Sequence, residues 1–152
     1  TVSVPKLDAR LALLNSGELK AAVLPEPLAS LAVQQGAAVV LDDTRYPQYS
    51  FSTYTIRKEY IDQNPEAVKA FNRAVEEAVK RINADPAKYA QTLVDQKLLP
   101  QPLVGKFQVP AFVTAGVPDE DQFADALTWA KEKGYISSDI AYKDCVTGDF
   151  LP

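Results

Sequence analysis

Two prolines bracket one acid in the run Leu19-Lys20-Ala21-Ala22-Val23-Leu24-Pro25-Glu26-Pro27, and this corner constrains the fold more than any other stretch. Residues 20–24 have the composition of a short buried strand, and they run straight into Pro25-Glu26-Pro27. A helix-compatible run, residues 28–35, follows at once. Pro27 suits a first helical position, because its missing N–H would have had no intrahelical partner. In open α/β sheets, ligands sit at the carboxyl ends of strands, where the next helix aims its free N–H groups at them. Two readings of Glu26 follow. Its carboxylate reads a ligand's donors at the strand-to-helix junction, or it is a solvated helix-start acid in a stiff turn, favoured by the helix dipole.

The flanking sequence extends the pattern. Residues 2–4 read as a strand ended by Pro5, and Leu7, Leu11 and Leu14 mark one face of a helix that stops near Asn15-Ser16-Gly17. Leu28, Leu31 and Ala32 give the next helix its apolar face, Gly36 closes it, and residues 39–41 form the next strand. This β-α-β-α-β order predicts an α/β fold, a parallel sheet with helices packed on its faces.

Residues 42–50 are polar, carry Pro47, and read as a connection. Tyr46, Tyr49, Phe51 and Tyr54 crowd into nine residues. They are either an aromatic core strand over 50–56 or, with Arg45, part of a cleft lining. Asn64-Pro65-Glu66 has the form of a helix start: a capping side chain, Pro at the first helical position and an acid in the first turn. One face of that helix carries Val68, Phe71, Val75, Ala78, Val79 and Ile82. The other carries Glu76→Lys80 and Glu77→Arg81 pairs and reads as a solvated charged face. Asp85-Pro86 restarts a helix through Tyr89, Leu93 and Val94, residues 98–118 are irregular, and residues 119–133 form a further helix closed by Gly134. Trp129 is expected in the core.

Composition narrows the function classes. At 152 residues, 47 % apolar and 24 % charged, the chain can bury a core of one ordinary domain. A net charge of −4 argues against binding a phosphate backbone, so no nucleic-acid partner is expected. There is no histidine, which removes the commonest general base and the commonest metal ligand. Cys145 is the only cysteine, sits beside Asp144, and reads as a packing residue. No G-x-G-x-x-G, no P-loop and no Asp-x-Asp-x-Asp-Gly loop occurs, so no cofactor and no metal is expected.

The order of segments from Leu7 to Pro27 resembles the second-lobe signature of the nitrate/sulfonate/taurine-type ABC-importer substrate-binding proteins, which include thiamine-precursor binders. The likeness continues through Ala37-Ala38-Val39-Val40-Leu41-Asp42-Asp43-Thr44 and Asn64-Pro65-Glu66-Ala67-Val68-Lys69-Ala70-Phe71. It ends with Trp129-Ala130-Lys131-Glu132-Lys133-Gly134-Tyr135-Ile136 and Tyr142-Lys143-Asp144. The resemblance implies a type II periplasmic-binding-protein-like lobe, incomplete relative to the two-lobed family fold. Residues 1–44 would end the second lobe, 45–57 would be the crossover and a strand, and 58–152 the helical returning part of the first lobe. The chain begins at Thr1 and lacks Met, which reads as a processed, excised or truncated piece, here the latter half.

The resemblance further implies a non-enzymatic component that captures a small polar solute in an interlobe cleft and delivers it to ABC permease subunits. Its site residues would be Glu26, Pro27, Arg45, Tyr46, Tyr49 and Ser52, with no catalytic residue. Its location would be periplasmic or extracellular, with a lipoprotein anchor if an N-terminal segment was removed. The half-protein reading adds self-association of the fragment through unpaired sheet edges. Two alternatives use the same architecture: an enzyme like the thiamine-pyrimidine synthases, whose chemistry needs a histidine, and a sensor or partner-binding domain without transport.

Overall fold

The computed structural model describes residues 1–49 and 52–152, the side chain of Gln48 excepted. Seven α-helices lie among the described residues: α1 (Leu7–Asn15), α2 (Leu28–Gln34), α3 (Lys58–Gln63), α4 (Pro65–Ala84), α5 (Pro86–Asp95), α6 (Glu120–Glu132) and α7 (Tyr142–Cys145). Short 3-10 turns form at Asp43–Arg45, Pro47–Tyr49 and Gln101–Leu103. The chain divides into two compact units, one made of Thr1–Asp42 and Asp85–Pro110, the other of Asp43–Ala84 and Ala111–Pro152.

No strand and no sheet occurs among the described residues, which overturns the expected α/β fold with its parallel sheet. The segments expected as strands have strand composition but no ladder. Val23 is 81 % exposed, Val40 92 % and Leu41 78 %. The carbonyls of Val4 and Val23 go to a side chain instead: the Arg10 guanidinium donates to Val4 O from Nε (3.2 Å) and Nη2 (2.9 Å), and to Val23 O from Nη1 (2.6 Å). A strand exists only where a second backbone completes its N–H and C=O groups, and local composition does not supply that partner. The aromatic strand over 50–56 fails similarly. Ser50 and Phe51 lie outside the described residues, and residues 52–56 carry no strand, with Tyr54 edge-on to Phe71 of α4 at 5.1 Å.

Helices α1, α2, α4, α5 and α6 formed where the sequence pattern placed them, because their hydrogen bonds are local, whereas α3 and α7 were not anticipated. In the first unit, α1 and α2 bury Leu11, Leu31 and Ala32 against Leu99 and Leu103, with Leu14, Leu24, Leu28, Leu93, Val94 and Phe107 packed around that cluster. The Asp85 side chain accepts the Lys88 N–H and so caps α5. After three helices the chain turns through a left-handed glycine: Gly17 (φ 79°) follows α1, Gly36 (φ 99°) follows α2 and Gly134 (φ 72°) follows α6. At α5 the same turn is closed by a lysine, Lys97 (φ 57°), with Lys97 N–H bonded to Val94 O (2.9 Å) and Leu98 N–H to Leu93 O (2.8 Å). A side chain in this region costs on the order of 1 kcal/mol relative to glycine.

In the second unit, α4 holds the irregular segments through its polar face. Asn83 exchanges two hydrogen bonds with the backbone of Phe112, Nδ2 to Phe112 O (2.8 Å) and Phe112 N–H to Oδ1 (2.9 Å). Asn72 donates to Phe150 O at 2.8 Å. Glu76 is buried at 9 % exposure and accepts the Ala115 N–H at 2.6 Å and the Lys80 ammonium at 3.2 Å. The solvated reading of that charged face therefore holds for Glu77–Arg81, an exposed pair at 2.8 Å, and is corrected for Glu76. Asn64 is also reassigned: its side-chain amide donates back to Tyr60 O of α3 at 3.2 Å. The Asp119–Gln122 capping box opens α6. Trp129, expected in the core, is 54 % exposed and packs 5.5 Å from the Tyr135 ring. Tyr142 of α7 donates to Pro118 O at 2.6 Å and sits edge-on to Phe123.

Candidate functional site

Glu26 and Pro27 lie in the first unit, at the start of α2. Pro27 occupies the cap position one residue before the first helical turn, so its expected place inside the helix shifts by one. Its carbonyl accepts the Leu31 N–H (3.1 Å), and the Pro25 carbonyl accepts the Ala29 N–H (3.0 Å). The Glu26 carboxylate turns onto the same helix start and accepts the Ser30 N–H at 3.2 Å. One oxygen of Glu26 therefore serves as a cap.

Beside this corner runs an open groove of about 330 Å³, lined by Asp8, Pro27, Leu28, Lys97, Leu98, Leu99 and Pro100. It draws on the first turn of α1, the start of α2 and the turn after α5. Leu99 anchors its floor, being part of the buried cluster that Leu28 packs against. A second concavity of the same unit, about 440 Å³, is lined by Leu14, Asn15, Gln35, Gly36 and Ala37, with Asn15 donating to Gln35 at 2.8 Å. Charged side chains line only the first of these two.

Arg45, Tyr46, Tyr49 and Ser52 lie in the second unit. The first three sit on or between the two 3-10 turns, where the Tyr46 N–H bonds to Asp43 O and the Tyr49 N–H to Tyr46 O, both at 2.9 Å. The Tyr49 hydroxyl donates to the Asp125 carboxylate of α6. That bond raises the Tyr49 pKa above its ordinary 10.0, helped by the charges of Asp125, Asp119 and Asp121. Ser52 is exposed. Structure thus joins Glu26 with Pro27, and Arg45 with Tyr46 and Tyr49, each set within its own unit. Asp8 and Lys97 escaped the sequence reading, since nothing local to either signals a shared groove. Among the described residues, no cluster of three or more His, Cys, Asp or Glu side chains is arranged to hold a metal ion.

All six positions fall within the part of the chain that has a known counterpart. Residues 1–94, more than half of the chain, match the model of the NMT1-like family, a family associated in general with substrate-binding proteins of ABC transporters. The chain belongs to the NMT1-like family. This membership supports the resemblance to the nitrate/sulfonate/taurine-type binding proteins. No curated protein and no solved structure matches the chain.

Proposed function

We propose that the chain is the extracytoplasmic solute-binding component of an ABC importer, or a piece of one, which captures a small polar solute and presents it to the permease subunits. The family match over residues 1–94 carries this reading. In the first unit the solute contacts are assigned to Glu26 and Pro27, of which Pro27 lines an open groove of about 330 Å³, within the size range of small-molecule sites. The absence of histidine from the sequence supports binding over acid–base chemistry.

Thermal unfolding against a panel of small polar solutes tests the reading. A ligand bound only by the folded chain stabilises it by RT ln(1 + [L]/Kd), about 2.7 kcal/mol at one hundred times Kd. The expected result is a saturable rise in midpoint with at least one class of solute. A flat response to anionic, cationic, zwitterionic and neutral solutes at millimolar concentration would contradict it.

A further inference from the structure

We infer that the groove beside Pro27 is built for a solute carrying both a cationic and an anionic group, with Asp8 taking the cation and Lys97 the anion; this rests on the solute-binding reading above and names its substrate class. Three observations converge on it. First, Asp8 and Lys97 line one groove whose other lining residues are Pro27, Leu28, Leu98, Leu99 and Pro100, so two opposite charges border an otherwise apolar surface. Second, neither residue is spent on a salt bridge among the described residues, although six Asp or Glu side chains elsewhere pair with Lys or Arg within 3.5 Å.

Third, Lys97 sits where the chain otherwise uses glycine. The left-handed turns after α1, α2 and α6 hold Gly17, Gly36 and Gly134, and nothing within 4 Å of those glycines would oppose a Cβ. Glycine at position 97 would relax the backbone and leave the Leu98 N–H to Leu93 O bond in place. A strained residue persists where the surrounding structure holds it in place, and such outliers gather at ligand clamps. The turn also fixes the lysine's backbone on the rim, next to Leu99, which is anchored in the core. An ammonium–carboxylate contact at each end and an apolar middle fit an amino-acid-like solute, with the charge-assisted bonds setting its orientation.

The experiment uses the full chain and a set of matched probes: the α,ω-amino acids from glycine to 6-aminohexanoate, with butyrate and butylamine as single-charge controls. Calorimetric titration should show one or more of the amino acids binding at least tenfold more tightly than either control. Lys97→Gly and Asp8→Asn should each weaken that binding tenfold or more, while Lys97→Gly unfolds at the same or a higher temperature than the parent. Equal binding of butyrate and the amino acids, or unchanged affinity in the folded Lys97→Gly chain, would overturn the inference. If no amino acid binds, the inference fails as well. Binding of some other solute class in the panel would then leave the importer reading standing, and a blank panel would remove both.

Discussion

Replacing Glu76 with alanine tests how the second unit is held together. Its carboxylate is buried, accepts the Ala115 N–H at 2.6 Å and the Lys80 ammonium at 3.2 Å, and projects from the middle of α4. The Lys80 side chain is 61 % exposed, so that ion pair is screened and contributes a few tenths of a kcal/mol at about the level of surface i, i+4 pairs. The bond to the amide is charge-assisted and contributes about 1.5–3 kcal/mol. Ala115 itself is exposed, so water recovers part of the loss once the acceptor is removed. The balance for Glu76→Ala is a destabilisation of about 2 kcal/mol, and for Glu76→Gln, which keeps an acceptor, about 1 kcal/mol or less. Urea unfolding followed by fluorescence of Trp129, the single tryptophan and a residue of the same unit, reads the change directly. Hydrogen exchange at the Ala115 amide should accelerate in the alanine variant. A Glu76→Ala chain within about 0.5 kcal/mol of the parent, the range of ordinary surface substitutions, would refute the reasoning.

Leu31→Ala should destabilise the first unit by about 2–5 kcal/mol, since Leu31 is buried in its main cluster; circular dichroism during denaturation measures this. Tyr49 is a phenol whose pKa is raised in the folded chain, so the stability linked to its proton is present below its ordinary pKa of 10.0 and is lost as pH rises through the raised value. Asp125→Asn should therefore let one tyrosine ionise at lower pH, seen as an earlier rise in tyrosinate absorbance. Glu26→Gln keeps an oxygen for the Ser30 N–H, so the midpoint should hold. Solute affinity should fall roughly 10- to 100-fold if the carboxylate meets the ligand. Calorimetry with the bound solute separates the two roles.

What the sequence made legible divides along the range of the interactions involved. Helix boundaries followed from signals within a few residues: Asp85-Pro86 before α5, Gly36 after α2 and Gly134 after α6. The expected strands are absent because Lys20 to Leu24 and Val39 to Leu41 show only half of what a sheet needs, and the pairing backbone is not written in the segment. Arg10 was passed over for the same reason, since its guanidinium serves carbonyls 6 and 13 residues away in sequence. Glu76 looked like one member of an exposed pair with Lys80; its burial depends on a loop 39 residues further on. The corner at Glu26 was legible as a helix start, while the groove beside it depends on Lys97, placed there only by the packing of Leu99 into the first unit's core.

The central claim is that the chain holds a small solute without transforming it. Equilibrium dialysis of the full chain against the solute that most raises its unfolding midpoint, followed by NMR of the recovered solute, tests this most directly. The account predicts saturable retention and a solute recovered chemically unchanged. Release of a product, or no retention above a protein-free control, would contradict it.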